Sequence, residues 1–418
     1  MTLPTLSEFN YRNLWISHKR EVSFATLLNF SCSYGQTFFI SLLLPAMAAA
    51  AGHTLETAGF FYAIVTLLSA LLLASSGFLA DRYSPKTYAS GCMVLIGLAC
   101  LTASMIQGTV TLLLALLLLR FGGQGLLPHA ANVAVAKRFK QDSAPAYAVS
   151  SLGMPLGEGI FPLLIAVLLT VVTVSQIWMI LALAVFLLAL PYVYWSGKAF
   201  DPTFAARLSE SESAPTTFFN SRIWTDSRLW WLTPHIFSIP FVFTGILFYQ
   251  STLADETGWN IWQWATGLTL FAASRAIVSV GAGFLMSGRP ALPQIPFITV
   301  PMMLGSLLLV WPGIGVWALH AFFVTTGISL GLATVVGKTA LVEVYSTQNI
   351  GRAKAAVNAV IVLSTAAAPP AMSFFVKLAQ GNWVTGILVG SALVMCLSTF
   401  YTFFGVHVLK KRIHGQSI

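Results

Sequence analysis

Charge is what this sequence has least of: Asp, Glu, Lys and Arg make up 8% of its 418 residues, where about a quarter is usual for a soluble domain. That shortage excludes a cytosolic enzyme and a disordered chain. Cysteine is scarce as well. Cys32, Cys92, Cys100 and Cys396 lie inside apolar runs without metal-ligand spacing, which excludes a secreted disulfide scaffold and predicts small side chains packed between helices. The first twenty residues contain no short apolar region ending at a small-residue cleavage site, so the chain is expected to keep its N-terminus and to insert by its first span. No loop gathers His, Asp or Cys into a cluster, so neither a membrane-surface enzyme nor a metal or other cofactor is expected.

What fills the sequence instead is hydrocarbon, with 57% hydrophobic residues and a mean hydropathy of +0.80. At about 20 apolar residues per crossing, long runs fall near 22–47, 57–79, 88–107, 109–136, 145–171 and 176–195, then near 229–252, 261–286, 292–311, 314–338, 355–377 and 384–409. The expected fold is an all-α membrane protein with twelve transmembrane helices in two six-helix bundles, 1–195 and 229–418. The polar, Ser/Pro/Thr-bearing stretch 196–228 is the linker between them.

The positions of the basic residues orient the chain. Eighteen of the 22 Lys and Arg fall before span 1, in alternate loops, in the linker or after span 12, among them Lys19, Arg20, Arg82, Lys86, Lys137, Arg138, Lys198, Arg228, Arg289 and Lys410. The opposite loops hold none apart from Lys377, at the margin of span 11. By the positive-inside rule both termini are cytoplasmic. The net charge of +9 is thereby explained by orientation, and no nucleic-acid partner is expected.

The halves also echo each other. Gly77-Phe78-Leu79-Ala80-Asp81-Arg82 follows span 2, and Gly283-Phe284-Leu285-Met286-Ser287-Gly288-Arg289 follows span 8, an offset of 206 residues. Repeated six-span halves are the mark of a two-bundle transporter whose solute site lies between them near the midplane. The run Gly77 to Lys86 resembles the loop 2–3 signature of the major facilitator superfamily, G-x-L-A-D-R-x-G-R-K, with Ser84 and Pro85 in place of Gly-Arg. Arg120-Phe121-Gly122-Gly123-Gln124-Gly125 is similar to the family's span-4 motif R-x-x-Q-G, with Gln and Gly displaced by one. Gly153-Met154-Pro155-Leu156-Gly157-Glu158-Gly159 looks like a variant of its Gly/Pro-rich span 5. Gly35-Gln36-Thr37-Phe38-Phe39-Ile40, together with Val342-Glu343-Val344-Tyr345-Ser346, resembles a bacterial branch related to monocarboxylate transporters.

These resemblances imply a monomeric secondary transporter of the bacterial inner membrane that works by alternating access. Spans 1, 4, 7 and 10 would surround the cavity, and Gly77, Asp81, Arg82 and Lys86 would form a conformational latch.

The residues themselves point to charge chemistry. An ionised group at bilayer depth costs about 2.5–3.5 kcal/mol even on the lenient insertion scale, and three stand well inside spans: Arg120, Glu158 and Arg275. Two positives and one negative leave a single positive charge, which a small organic monoanion such as a carboxylate would neutralise. The opposing reading pairs Arg120 with Glu158 structurally and lets Arg275 cap a carbonyl. Glu158 is then either a proton carrier, the proton being the expected coupling ion, or a structural partner.

Asn29, Ser33 and Gln36 would share one helix face, and Gln124 sits one turn from Arg120. His235 and His320 are candidates for titration. Gly327 and Gly331 are spaced for a close helix contact. The alternative function is a proton-driven exporter of drugs or other amphipathic compounds, for which a cavity rich in Phe and Trp is suited.

The topology is tested by cysteine labelling in intact cells at residues 53 and 213. They are expected to react from opposite sides, and labelling from one side would overturn the orientation and the cavity assignment together.

Overall fold

The computed structural model describes residues 17–76, 79–139, 143–200, 222–285, 290–311, 315–345 and 350–413. Twelve helices in it are long and apolar enough to cross a membrane: α1 (Lys19–Ala50), α2 (Leu55–Leu73), α3 (Pro85–Ser104), α4 (Thr109–Phe139), α5 (Ala146–Leu168), α6 (Val174–Phe200), α7 (Ser227–Phe248), α8 (Ile261–Ala282), α9 (Leu292–Val310), α10 (Val316–Leu341), α11 (Ala356–Leu378) and α12 (Trp383–Leu409). All twelve expected spans are there. The sixth runs on to Phe200 instead of stopping at 195, and most of the expected linker lies outside the described residues. An even number of crossings puts the start of α1 and the end of α12 at one end of the molecule, labelled the inner end after the expectation from the basic loops, and the other the outer end.

Local chemistry sets where the helices begin. The hydroxyl of Ser84 accepts the Thr87 N–H at 3.2 Å and Pro85 takes the first helical position of α3. The two residues that depart from the family signature therefore make a helix start. Thr173 and Gln176 form a reciprocal cap on α6, and the Asp226 carboxylate accepts the Arg228 N–H ahead of α7. Residues such as Leu187, Leu188, Ile277, Leu397 and Phe400 remain exposed, as a lipid-facing surface requires.

Within each set of six, the helices pack through small residues. A Cβ on Gly327 or Gly331 would crowd the carbonyls of Phe271 and Arg275, so this pair brings α10 against α8 as its spacing predicts. Between the sets, contact runs along α2–α11, along α5–α8, and between α7 and the outer part of α1. The inner segments Lys19–Ser31 and Leu127–Phe139 find their main neighbours within their own set. The bonds that join the sets at Glu56, Gln250, Thr269 and Arg275 lie between the midplane and the outer end.

At the outer rim Glu56 accepts from Ser373 Oγ at 2.7 Å and pairs with Lys377 Nζ at 3.1 Å. Below them Gln250 Nε2 donates to Ser41 Oγ at 2.8 Å, and Gly59 lets α2 approach Phe248, Tyr249 and Pro369. Lys377, the exception to the alternation of basic loops, is thus half of a bond across the two sets.

Both partners are solvated, so the rim pair contributes at most about 1 kcal/mol, roughly fivefold in an open-to-closed ratio. Spin labels at residues 55 and 378 measure it. Lys377→Glu is expected to populate a longer distance, and adding Glu56→Lys to restore the short one. An unchanged distribution in the single variant would mean the pair holds nothing.

Candidate functional site

Glu158 and Arg275 meet at mid-depth, one from each set of helices. Arg275 Nη1 donates to Glu158 Oε1 at 2.6 Å and to Oε2 at 2.8 Å, with the carboxylate 5% and the guanidinium side chain 18% exposed. Only one nitrogen of the guanidinium is engaged. Its Nε and Nη2 have no hydrogen-bond partner among the described residues. This pairing corrects two readings of the sequence: Glu158 is not bonded to Arg120, and Arg275 has a counter-ion.

The surrounding helices are built to present this pair. Pro162 lies inside α5 and, lacking an N–H, leaves the Glu158 carbonyl without its helical donor. On the next carbonyl, that of Gly159, Thr269 Oγ1 of α8 donates at 3.0 Å, a second bond between the sets beside the first. Gly157 and Gly153 bring α5 onto the backbone of α1 at Phe30 and Thr26. Phe161 stands one turn from Glu158 and packs on Phe30, Tyr34 and Phe39. Across the joint, Phe271 lies one turn from Arg275 and packs on Phe243, which meets Phe323.

Arg120 belongs to a separate cluster. It is fully buried in the first set, where Nη1 donates to the Gly35 carbonyl at 2.9 Å and Nε to Thr66 Oγ1 at 3.1 Å. Its guanidinium carbon stands 4.9 Å from the ring centroid of Tyr62, whose hydroxyl bonds Thr37 at 2.7 Å. The Gly35 carbonyl is free because α1 is broken there. Cys32–Gly35 forms a 3-10 turn and Gln36 is extended (φ −82, ψ 151), so Phe39 and Ile40 donate to the Gln36 carbonyl.

Opposite the break, α4 is itself irregular, with π-helical geometry over Arg120–Leu126. Gly35 and Gly123 touch backbone to backbone, so closely that a Cβ on either would overlap the other helix. Asn29, Ser33 and Gln36 accordingly do not form one continuous stripe. Asn29 donates to the Ser150 carbonyl at 3.0 Å and Ser33 is fully buried. Gln36 makes only a long contact to Cys32 Sγ at 3.9 Å. Gln124, half-buried, has no side-chain hydrogen bond among the described residues.

The remaining candidates lie apart. His235 is buried in α7 facing Gly337, in the π-helical stretch Ala333–Gly337 of α10. His320 sits near the outer end of α10, bonded to the Gln263 carbonyl at 3.2 Å and edge-on to Trp317. Of the latch residues, Gly77 and the side chain of Asp81 lie outside the described residues, Arg82 is exposed, and Lys86 stands over the Tyr194 ring at 5.5 Å. Sequence reasoning missed Tyr62, Thr66 and Thr269. None carries a charge or motif, and the one available signal was Pro162, which marks α5 as irregular beside Thr269.

With fold and site in view, the chain is a two-set, twelve-span membrane transporter and not an enzyme. Residues 26–325 match the model of the Major Facilitator Superfamily, and the chain belongs to that family of secondary transporters. No curated protein sequence matches it. Among solved structures it is similar to a bacterial homologue of the human lysosomal transporter Spinster in an inward-facing, unoccupied conformation. The TM-score is 0.66 and the identity 12%, covering 94% of this chain and 98% of that one.

The contact between Gly35 and Gly123 is backbone on backbone, so no rotamer change relieves a side chain there. Gly123→Ala is expected to cost at least about 1–3 kcal/mol, read as a lowered melting temperature in detergent with loss of transport. Gly91→Ala, which meets nothing within 4 Å, is the matched control and should be neutral. Equal behaviour of the two would show that the break in α1 does not need this contact.

Proposed function

We propose that this transporter moves a small organic monoanion, such as a monocarboxylate, together with a proton, and that both bind at the Glu158–Arg275 pair. The observation that carries the reading is an ion pair at mid-depth whose two members come from the two helix sets. Charge balance does the rest. With the pair intact, the centre is neutral. A proton on Glu158 releases Arg275, and a carboxylate can then replace Glu158 as its counter-ion, so the loaded centre is neutral too. Neither the empty nor the loaded centre therefore carries a bare charge through the membrane core. The unengaged Nε and Nη2 edge of Arg275 offers the two-pronged geometry that matches a carboxylate, so a solute can dock there before Glu158 lets go.

Because the pair is also a bond between the sets, loading breaks that bond and links binding to opening. With both termini in the cytoplasm, as the pattern of basic loops predicts, the rim bonds would close the outer side and the cavity would face inward. The resemblance to the monocarboxylate-related branch agrees with the choice of solute. Arg120, whose bonds all end in its own set, is assigned to holding the break in α1 and not to the solute. Gln36 and Gln124 remain as amide donors at the same depth. A second reading, export of amphipathic compounds, is favoured by the aromatic residues on both sides of the pair, Phe161 with its neighbours and Phe271 with Phe243.

Proteoliposomes separate the two. Arg275→Gln is expected to lower counterflow of a labelled monocarboxylate by ten- to a hundredfold, the weight of a charged hydrogen bond of about 1.5–3 kcal/mol. Arg275→Lys should recover part of it. Glu158→Gln should exchange solute yet fail to accumulate it under a pH gradient. Preference for lipophilic cations over carboxylates would promote the export reading. Equal loss of exchange and accumulation in Glu158→Gln would leave only a structural pair.

A further inference from the structure

Three basic side chains at the inner end are satisfied by protein oxygens. Arg138 Nε donates to Glu21 at 3.0 Å, and Lys137 donates to the Ala80 carbonyl at 2.5 Å. Arg228 pairs with Asp226, whose carboxyl it holds below the usual carboxylate range.

One group differs. Arg20 from the start of α1 stands 4.4 Å over the ring of Trp195, and Lys198 stands 5.6 Å from the ring centroid of Tyr194, which Lys86 from the start of α3 approaches at 5.5 Å. Neither Arg20 nor Lys198 forms an ion pair among the described residues, and both are exposed. Three elements thus deliver three cations to two adjacent aromatic residues in the last turns of α6.

The place of these rings in the fold says what they meet. Ile180, Leu183, Leu187 and Leu188 are exposed along α6 at helical spacing, and Tyr194 (52%) and Trp195 (44%) continue the same face. That stripe is apolar along its length and ends in amphipathic rings where α1 and α3 begin. This is the pattern of a lipid-facing helix reaching the headgroup layer. At that depth Arg20 and Lys198, held on ring faces and not on carboxylates among the described residues, keep their donors for an acceptor outside the protein.

We infer that Arg20 and Lys198, set on Trp195 and Tyr194 and flanked by Lys86, bind the phosphate of an anionic phospholipid in the inner leaflet. The acyl chains of that lipid lie along the exposed face of α6. A phosphodiester offers several anionic oxygens to ammonium and guanidinium donors at once, and anionic headgroups draw basic residues at the membrane surface. The site is on the outside of the first set, away from the Glu158–Arg275 pair, so it does not depend on the identity of the solute.

The test uses the purified full chain in neutral detergent, with thermal unfolding followed as phosphatidylglycerol, phosphatidylcholine or soluble glycerol 3-phosphate is added. Phosphatidylglycerol is expected to raise the melting temperature by several degrees, and added salt to shrink the rise. Phosphatidylcholine should do little, since it lacks net negative charge. Glycerol 3-phosphate should do little because it has the phosphate without the chains.

The double variant Arg20→Gln with Lys198→Gln should lose at least half of the rise, and Arg20→Lys with Lys198→Arg should keep it. Native mass spectrometry should show one fewer retained phosphatidylglycerol in the neutral variant. The proposal is overturned by an undiminished response in the neutral variant or by equal stabilisation with phosphatidylcholine. An equal effect of glycerol 3-phosphate would reduce the site to one for soluble anions.

Discussion

A charge in the hydrocarbon of a bilayer must be answered within a few ångströms, because nothing in the lipid will answer it. The bond between Glu158 and Arg275 is subject to that rule, and it also spans the two helix sets. Separated without replacement, each set would carry one bare charge at mid-depth, and breaking a buried pair by removing one partner costs about 3–5 kcal/mol. The sets therefore part cheaply only when something else neutralises both groups. The Glu56–Lys377 pair at the outer rim is weaker and solvated, so it biases the position of the sets without setting the condition for movement.

The same rule accounts for where the backbone is irregular. The break at Cys32–Gln36, the π-helical turn of α4 and the proline in α5 all release carbonyls from regular bonding, and such carbonyls are tolerable at depth only when protein supplies the donor. Arg120 supplies one to Gly35, and Thr269 donates to Gly159, the carbonyl beside the one that Pro162 leaves without its helical donor. Both donors sit beside glycines, where the helices come close enough for a side chain to reach a neighbouring backbone. Arg120 meets no carboxylate: its charge faces a carbonyl, a hydroxyl and the ring of Tyr62, and its Nη2 is buried without a hydrogen-bond partner among the described residues.

Much of this was legible in the sequence. Hydropathy placed all twelve spans, and the cost of buried charge singled out Arg120, Glu158 and Arg275 as residues with a task. Which of the two arginines takes the carboxylate was not legible, because helix depth says nothing about rotation or about which helices are neighbours. The stripe Asn29, Ser33, Gln36 failed for a definite reason. It assumed a regular helix through Gly35, where α1 gives up helical geometry to lie against Gly123. Lys377 was visible as an exception to the charge alternation, and the exception was informative. A basic residue on the wrong side needs a partner, and Glu56 is that partner.

The two sets share one more device, with its polarity reversed. Lys137 near the inner end of α4 and Glu343 just past the inner end of α10 are separated by the same 206 positions as Gly77 and Gly283. Lys137 donates to the Ala80 carbonyl in the short helix Leu79–Arg82. Glu343 accepts the N–H groups of Ala291 and Leu292, at 2.6 and 2.8 Å, where α9 begins. A cation meets the carbonyl end of a helix in one set and an anion meets the N–H end in the other, each in its favourable sense. Arg228 adds a strap in the second set, donating to the Val344 carbonyl at 3.2 Å and standing over Tyr345. These bonds tie the inner end of each set to its own loops. Relative motion is left to fall on the few bonds that cross between the sets, of which the pair at mid-depth is the one a solute and a proton can break together.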